Sequence, residues 1–398
     1  MEYIARRWLR LSSWCVTFLI VIGLASPAAA STLFIDNSHF DLEFETASFM
    51  AQSSPAASPV GEPWALQKLG VPHAWNLNSG SDVIVAVLDS GLSASHPALS
   101  EQVLPGWNFV HGTDDTRDDA GHGTFNAGII AARRSPDHRM AGVAPGAKIL
   151  PVKILDSQGA GSTANFVAGI VYAVDHGAKV INISASGVSN SQSLADAVQY
   201  AEDHGAVVVA SAGNQANGDM NYPAAYTSVL AVTATGPDDT VAAFSSFGPY
   251  VDLAAPGVNI PSTWWESTKG DTYRTASGTS AAAAYVSGVA ALIMSARPDI
   301  SPSQVRQLLT ETAADIGPPG IDASSGFGRL DAYLSTRLAT PVHPSRPATA
   351  SVVSEPGGRH VKIQSEGFEP EEPLALWVTG ADGRHWVYRG ITVGSAGA

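Results

Sequence analysis

Cysteine is all but missing. Among 398 residues there is one, Cys15, and it lies inside an N-terminal stretch that reads as a leader. Beyond it the chain has no thiol and no disulfide, which excludes cysteine catalysis and thiolate metal sites. Basic residues are also scarce: 22 Lys and Arg stand against 36 Asp and Glu, a formal net charge of −14. That balance argues against nucleic acid or an anionic membrane surface as the main partner. With 45% hydrophobic and 15% charged residues, the chain is long enough for one large core plus appendages.

Residues 1–30 have the layout of a signal peptide. Arg6, Arg7 and Arg10 form a basic start, 16–24 an apolar run, and Ala28-Ala29-Ala30 a small-residue cleavage signal. The apolar run is shorter than the roughly 20 residues a spanning helix needs. The expectation is therefore export and cleavage, an extracytoplasmic or secreted product, and no membrane span afterwards. The leader carries three Arg and one Glu, so its +2 taken from −14 leaves −16 for the remainder.

Residues 31–62 are mixed, then Ser/Ala/Pro-rich, the composition of an extension or linker. From 63 the pattern changes. The stretch 82–88 is nearly continuous apolar and β-rich, as in a strand buried on both faces, and it ends at Asp89. Further strand-like runs occupy 149–155, 179–183, 206–210 and 229–233. Between them Phe166, Val167, Ile170, Val171 and Val174, and then Leu194, Ala197, Val198 and Ala201, follow helical spacing. This alternation predicts an α/β fold, a doubly wound, mostly parallel sheet with helices on both faces. A small-residue helix from about 281 to 295 follows, then another opened by Ser301 and Gln304 in capping-box register. The domain is expected to span 63–338. A Pro/Ser/Ala linker (339–350) leads to a small β-rich segment (351–398), in which Asp382-Gly383 separates two strand-like stretches as a hairpin turn would.

Four polar groups fall at strand ends or helix starts. Asp89 closes a buried strand, where open parallel sheets place ligand groups. His122 enters a helix at its first turn. Asn214 follows the 206–210 strand, and Ser280 precedes the small-residue helix. Each alone is ordinary: an Asp-Ser-Gly turn, a polar cap, a turn amide, an N-cap. Together they are what acyl transfer requires. A serine hydroxyl needs an imidazole base, the imidazole needs a carboxylate to fix its tautomer, and the oxyanion needs donors.

The motifs Val87-Leu-Asp89-Ser-Gly91, Gly121-His122-Gly-Thr124, Ser211-Ala-Gly-Asn214 and Gly278-Thr-Ser280-Ala-Ala282, in that order, resemble the subtilisin-like serine proteases, the thermitase-like branch above all. The resemblance covers roughly 62–338. Subtilisin is itself the standard example for this triad order and for an oxyanion-hole asparagine, so the roles are carried over. Ser280 is implied as nucleophile, His122 as base, Asp89 as its orienting acid, and Asn214 as oxyanion donor. The resemblance further implies that Ser184, Ala185, Ser186 and Gly187 pair with the substrate backbone and wall the primary pocket. Ala212 and Gly213 would form the opposite wall, and Asn221 would line the base with Gln215 nearby. Tyr222-Pro223 resembles the family's cis-proline turn. An uncharged pocket predicts broad cleavage after apolar or aromatic residues. The implied partners are protein or peptide substrates, met by a monomer.

Departures from the family pattern are visible too. Phe125 stands where a second histidine is usual, followed by Asn126. Ala281 replaces Met, Ala284-Tyr285 replaces Pro-His, and Ser186 replaces Gly. Ala98 stands where the family commonly has an Asp ligand of its tight calcium site. Its loss removes a hard oxygen donor, so no metal is expected there and no cofactor is required. Asp137 and the acidic loop 114–119 could hold another cation, but such loops are more often solvated. Two alternative readings have different sequence requirements. A silent, peptide-binding or surface-anchored relative would be favoured by loss of one of the four groups. An α/β-hydrolase esterase wants Gly-x-Ser-x-Gly with the serine first; here the acid and base precede it and position 282 is Ala.

Overall fold

The structure is a computed structural model. It describes residues 64–134, 140–185 and 190–340 in full, and elsewhere the backbone of six short strands. The chain divides into two units, residues 1–54 with 341–398, and residues 55–340.

In the first unit, β1 (Phe18–Val21) pairs antiparallel with β2 (Leu33–Ile35). Residues 18–21, within the stretch expected to be a leader, thus form a strand, and cleavage after Ala30 would remove β2's partner.

The second unit begins with two short helices, α1 (Trp64–Lys68) and α2 (Val71–Ala74). Its sheet strands are β3 (Ile84–Asp89), β4 (Trp107–Asn108), β5 (Lys148–Lys153), β6 (Val180–Ile183), β7 (Val207–Ser211), β8 (Val229–Thr235) and β9 (Leu253–Pro256). They lie in the order β4-β5-β3-β6-β7-β8-β9, and every neighbouring pair is parallel. An antiparallel hairpin, β10 (Ile260–Glu266) with β11 (Gly270–Ala276), stands apart from that sheet. The remaining helices are α3 (His122–Ala131), α4 (Thr163–Asp175), α5 (Gln192–Asp203), α6 (Thr279–Ala296), α7 (Pro302–Glu311) and α8 (Ala332–Ala339).

Side chains alternate across a strand, so a sheet covered on both faces needs two cores. Val85 and Val87 of β3 join one, with Ile129 and Ile130 of α3 and Val286, Val289 and Leu292 of α6. Ala86 and Leu88 join the other, with Phe166 and Ile170 of α4 and Leu194 and Val198 of α5. This is the doubly wound arrangement expected of the continuous apolar runs. α6 is long and apolar enough to cross a bilayer, but Thr279 to Met294 are all buried inside the unit. It is a core helix, hydrophobic all round because it is surrounded. α7 begins with the expected capping box, Ser301 and Gln304 satisfying each other's backbone amides.

The C-terminal strands are β12 (Thr349–Ser354), β13 (Val361–Glu366), β14 (Pro373–Thr379) and β15 (His385–Thr392). β12 pairs with β13, and β14 pairs antiparallel with both β15 and β1. The predicted turn at Asp382-Gly383 lies outside the described residues.

Candidate active site

Three neighbouring strands deliver the polar groups to one edge. Being parallel, β3, β6 and β7 end on the same side of the sheet. Asp89 is the last residue of β3; Ser184 and Ala185 follow β6; Ala212, Gly213 and Asn214 follow β7. Two helices start there, α3 at His122 and α6 at Thr279. The glycine after His122 has a steric reason. A Cβ on Gly123 would lie 2.0 Å from the Gly91 carbonyl oxygen, so only a bare Cα lets the first turn of α3 press against the end of β3. Gly121, in the left-handed region at φ 84°, turns the chain into the helix.

His122 Nδ1 lies 2.8 Å from Asp89 Oδ1. Because the carboxylate only accepts, Nδ1 carries the proton and Nε2 is left with its lone pair. Asp89 is fully buried, while the His122 side chain is 36% exposed. Asp89 Oδ1 also accepts from the Ser90 amide at 2.7 Å, and Oδ2 accepts from Asn126 Nδ2 at 3.0 Å. Burial pushes the imidazole toward its neutral form. The charge and hydrogen bond of Asp89, helped by the charge of Asp118, outweigh this and raise its pKa above the ordinary value of 6.5.

The acidic loop is not uniformly solvated, which corrects the sequence reading. Asp114 is exposed, and Asp115 pairs at the surface with Arg117 at 2.6 Å, which holds its pKa down at about 2. Asp118, in contrast, is buried and accepts five hydrogen bonds. They come from Ser90 Oγ (2.8 Å), the Ala120 and Gly121 amides (3.1 and 2.8 Å), and the Thr124 amide and hydroxyl (2.9 and 2.6 Å). Asp119 pairs at 2.8 Å with the buried Lys153, whose ammonium also donates to the Ser90 and Leu155 carbonyls. These contacts fix the loop that carries His122.

Ser280 sits in the first turn of α6. Its hydroxyl donates to the Ser184 carbonyl at 3.0 Å, and Ser184 Oγ returns a bond to the Ser280 carbonyl at 3.1 Å. No hydrogen bond joins Ser280 to His122 among the described residues. Asn182 Nδ2 supports Ser184 Oγ at 2.9 Å, and Ser287 holds Asn182 Oδ1 at 2.9 Å.

Asn214 Oδ1 accepts from both the amide and the hydroxyl of Thr279, each at 2.9 Å. With its oxygen held, the exposed amide nitrogen is turned outward. A Cβ placed on Gly278 would stand 3.6 Å from Asn214 Nδ2 and 3.8 Å from the Ser280 amide nitrogen. Both nitrogens thus lie within 4 Å of that point, as does Asn214 Oδ1 at 3.9 Å, and neither nitrogen has an acceptor among the described residues.

On the pocket side, Asn221 is buried and its Nδ2 donates to the Ala212 carbonyl at 2.9 Å and to Tyr250 Oη at 3.3 Å. Tyr250 Oη donates to the same carbonyl at 3.0 Å. Gln215 is exposed and faces Ser246. The Tyr222-Pro223 bond is cis. Ser186, Gly187 and Asp137 lie outside the described residues. The Trp264 ring is packed: it meets Phe125 edge-on at 6.0 Å and lies 4.5 Å beneath the Arg274 guanidinium. Ala98 is buried beside Ala132 and Met140. Among the described residues no group of three His, Cys, Asp or Glu is arranged to hold a metal.

Asp118, Asn126, Thr279 and Lys153 were missed as site residues. Thr279 lies inside one quoted motif and Asp118 three residues before another, but nothing in a single sequence marks which polar neighbours become buried donors or acceptors.

Residues 80–328 match the family described as the subtilase family. Thermitase of Thermoactinomyces vulgaris is 42% identical over 271 residues, 68% of this chain and 94% of that protein. M-protease of Shouchella clausii is 40% identical over 276 residues, covering 69% of this chain and 70% of that protein. Subtilisin Savinase of Lederbergia lenta is 39% identical over 276 residues, or 69% and 98%.

Proposed function

The chain belongs to the subtilase family and is a serine endopeptidase, and on that premise we propose that Asp89, His122 and Ser280 are its catalytic triad and Asn214 its oxyanion donor. The observation that carries this is the 2.8 Å contact between His122 Nδ1 and Asp89 Oδ1. It leaves Nε2 free to take the serine proton. Ser280 Oγ leaves the Ser184 carbonyl, passes its proton to Nε2 and attacks the scissile carbonyl. The imidazolium is stabilised by Asp89 and returns the proton to the leaving amine; water then repeats the sequence on the acyl-enzyme. The developing oxyanion takes hydrogen bonds from Asn214 Nδ2 and the Ser280 amide, two nitrogens near Gly278 that have no acceptor among the described residues.

The test is casein hydrolysis by the purified protein, by Ser280→Ala and after a fluorophosphonate label. Activity abolished by the substitution, with the label on Ser280, supports the assignment; activity that survives both overturns it.

Substrate backbone pairing at Ser184, Ala185, Ser186 and Gly187, with Ala212, Gly213 and Asn221 around the side-chain pocket, is part of the same reading. The amide of Asn221, tied to Ala212 and Tyr250, offers no charge to a basic or acidic side chain. Cleavage after apolar or aromatic residues is expected, and a sharp preference for Arg, Lys or Glu in a peptide library would refute it. Export follows from residues 1–30, and N-terminal sequencing of culture supernatant should find a start after Ala30. Position 98 brings an alanine and no carboxylate to the family's tight calcium site, so chelation by EDTA should leave the melting temperature unchanged.

A further inference from the structure

Asn126 lies one turn along α3 from His122 and is wholly buried. Asp89 Oδ1 serves both the Ser90 amide and His122, whereas Oδ2 has Asn126 Nδ2 as its one partner among the described residues, at 3.0 Å. The same nitrogen stands 3.3 Å from His122 Nδ1. At the other end of the amide, Oδ1 is buried with no hydrogen-bond partner among the described residues. An unpaired buried carbonyl destabilises a fold, and an apolar side chain of similar size would avoid it. Packing therefore does not account for an amide at this position. What the amide supplies, and valine would not, is a donor aimed at the far oxygen of Asp89.

We infer that Asn126 is a positioning residue of the hydrolytic site, locking the rotation of the Asp89 carboxylate so that Oδ1 faces His122 Nδ1. The inference rests on the triad reading above. Without Asn126 both remaining donors sit on Oδ1, and Oδ2 becomes an unpaired carboxylate oxygen in a buried site. The charge of the carboxylate is then shared with one fewer donor and acts more strongly on the imidazole. The ionisable groups around the pair are Asp118 and, through the Ser90 carbonyl, Lys153. The facing strand β10 presents the Ser262 and Thr263 hydroxyls to the α3 backbone, and α6 carries no Asp, Glu, Lys or Arg.

The experiment compares the full-length wild type, Asn126→Val, Asn126→Asp and Ser280→Ala by kcat, KM, the pH profile of kcat/KM, and melting temperature. For Asn126→Val we expect kcat to fall about tenfold, far short of the ~10⁴ lost when a triad carboxylate is neutralised. KM should be unchanged, the acid limb of kcat/KM should move to higher pH, and the melting temperature should change little, since one unpaired buried oxygen replaces another. If Asn126→Val does not fold, Asn126→Asp carries the test. It keeps the shape but faces carboxyl to carboxyl, so the two share a proton at low pH and repel as it leaves. Its activity should fall away on the alkaline side, where the wild type remains active. A folded variant with wild-type kcat and pH profile overturns the role, as does a loss accompanied only by a lower melting temperature. A wild type without activity, or an active Ser280→Ala, would instead sink the triad reading itself.

Discussion

Two helices begin at the active site, and their first turns are treated in opposite ways. At the start of α3 the amides after His122 are filled: Gly123 donates to Ser90 Oγ, Thr124 to Asp118 and Phe125 to the Gly121 carbonyl, while the His122 amide has no acceptor among the described residues. At the start of α6, Thr279 donates to Asn214 and Ala281 to the Gly278 carbonyl, while the Ser280 amide has no acceptor among the described residues. Every helix starts with orphan N–H groups and a partial positive charge. A first turn closed by a carboxylate of its own chain is finished structure, and it holds its side chain still. At α6, where no carboxylate closes the turn, the open amide is that of the serine itself, and it can receive an anion that exists only during reaction. His122 stands on the closed turn and Ser280 on the open one.

Substitutions should separate the two ends. The largest effect is expected at the closed one. Asp118→Ala would leave two hydroxyls and three amides without their acceptor, and should cost about 4 kcal/mol of stability. Urea unfolding in a Ser280→Ala background, which prevents self-digestion, measures it. A loss below about 1 kcal/mol would break the comparison. At the open end the change should fall on rate instead. Asn214→Leu should lower kcat by about 10²–10³, a magnitude taken from subtilisin itself, with unfolding little changed. If Asn214→Leu destabilises as much as Asp118→Ala, the open turn is structural after all.

This difference between the two turns was not legible in the chain, although most of the frame was. Continuous apolar runs such as 82–88 marked strands buried on both faces, and Leu194, Ala197, Val198 and Ala201 were read as one helix face and are all buried. Asp89, His122, Asn214 and Ser280 were legible because each sits where an element ends, and ends have local signals. Asp118 was read as part of a solvated run because four acidic residues within six positions look alike until burial distinguishes them. Asn126 was noted only as the neighbour of an unusual Phe125. Its partner is 37 positions away on another element, and no local pattern encodes that. The short strands β4 and β9 and the hairpin β10–β11 also went unassigned. Their residues, such as the Leu253–Pro256 run, are too few or too polar for periodicity to reveal.

A third test uses a buried carboxylate that lacks Asp118's set of donors. Asp252 Oδ2 accepts one backbone bond, from Ala231 at 2.9 Å. Burial raises its pKa to about 6, against the lowering influence of that bond and of Arg306. The sign follows from the linkage. Below pH ~4 the group is protonated folded or unfolded and has no effect. Between ~4 and ~6 the unfolded chain releases the proton first, so stability falls as pH rises, by about 3 kcal/mol in all. Asp252→Asn keeps an acceptor for Ala231 and should remove that decline, raising stability at pH 7–8 relative to the parent. An equal decline in the variant would show that one amide suffices for a buried carboxylate, and the contrast with Asp118 would lose its meaning.

The smallest expected effect is also the most discriminating. In the proposed mechanism His122 must be neutral to accept the serine proton, and the charges of Asp89 and Asp118 together raise its pKa despite burial. The acid limb of kcat/KM should therefore lie on the alkaline side of 6.5, the value of free imidazole. Asp118→Asn removes one of those charges while keeping a side chain that still accepts at the α3 start. Its acid limb should move to lower pH, opposite to the shift expected of Asn126→Val. A closed helix end that only positions its histidine predicts no shift for Asp118→Asn. One that also tunes the histidine predicts a downward shift, and kcat/KM measured from pH 5 to 9 on the two variants distinguishes them. Movement of both limbs in the same direction would mean that each substitution acts by disturbing the loop rather than through the charge on Asp89 and Asp118.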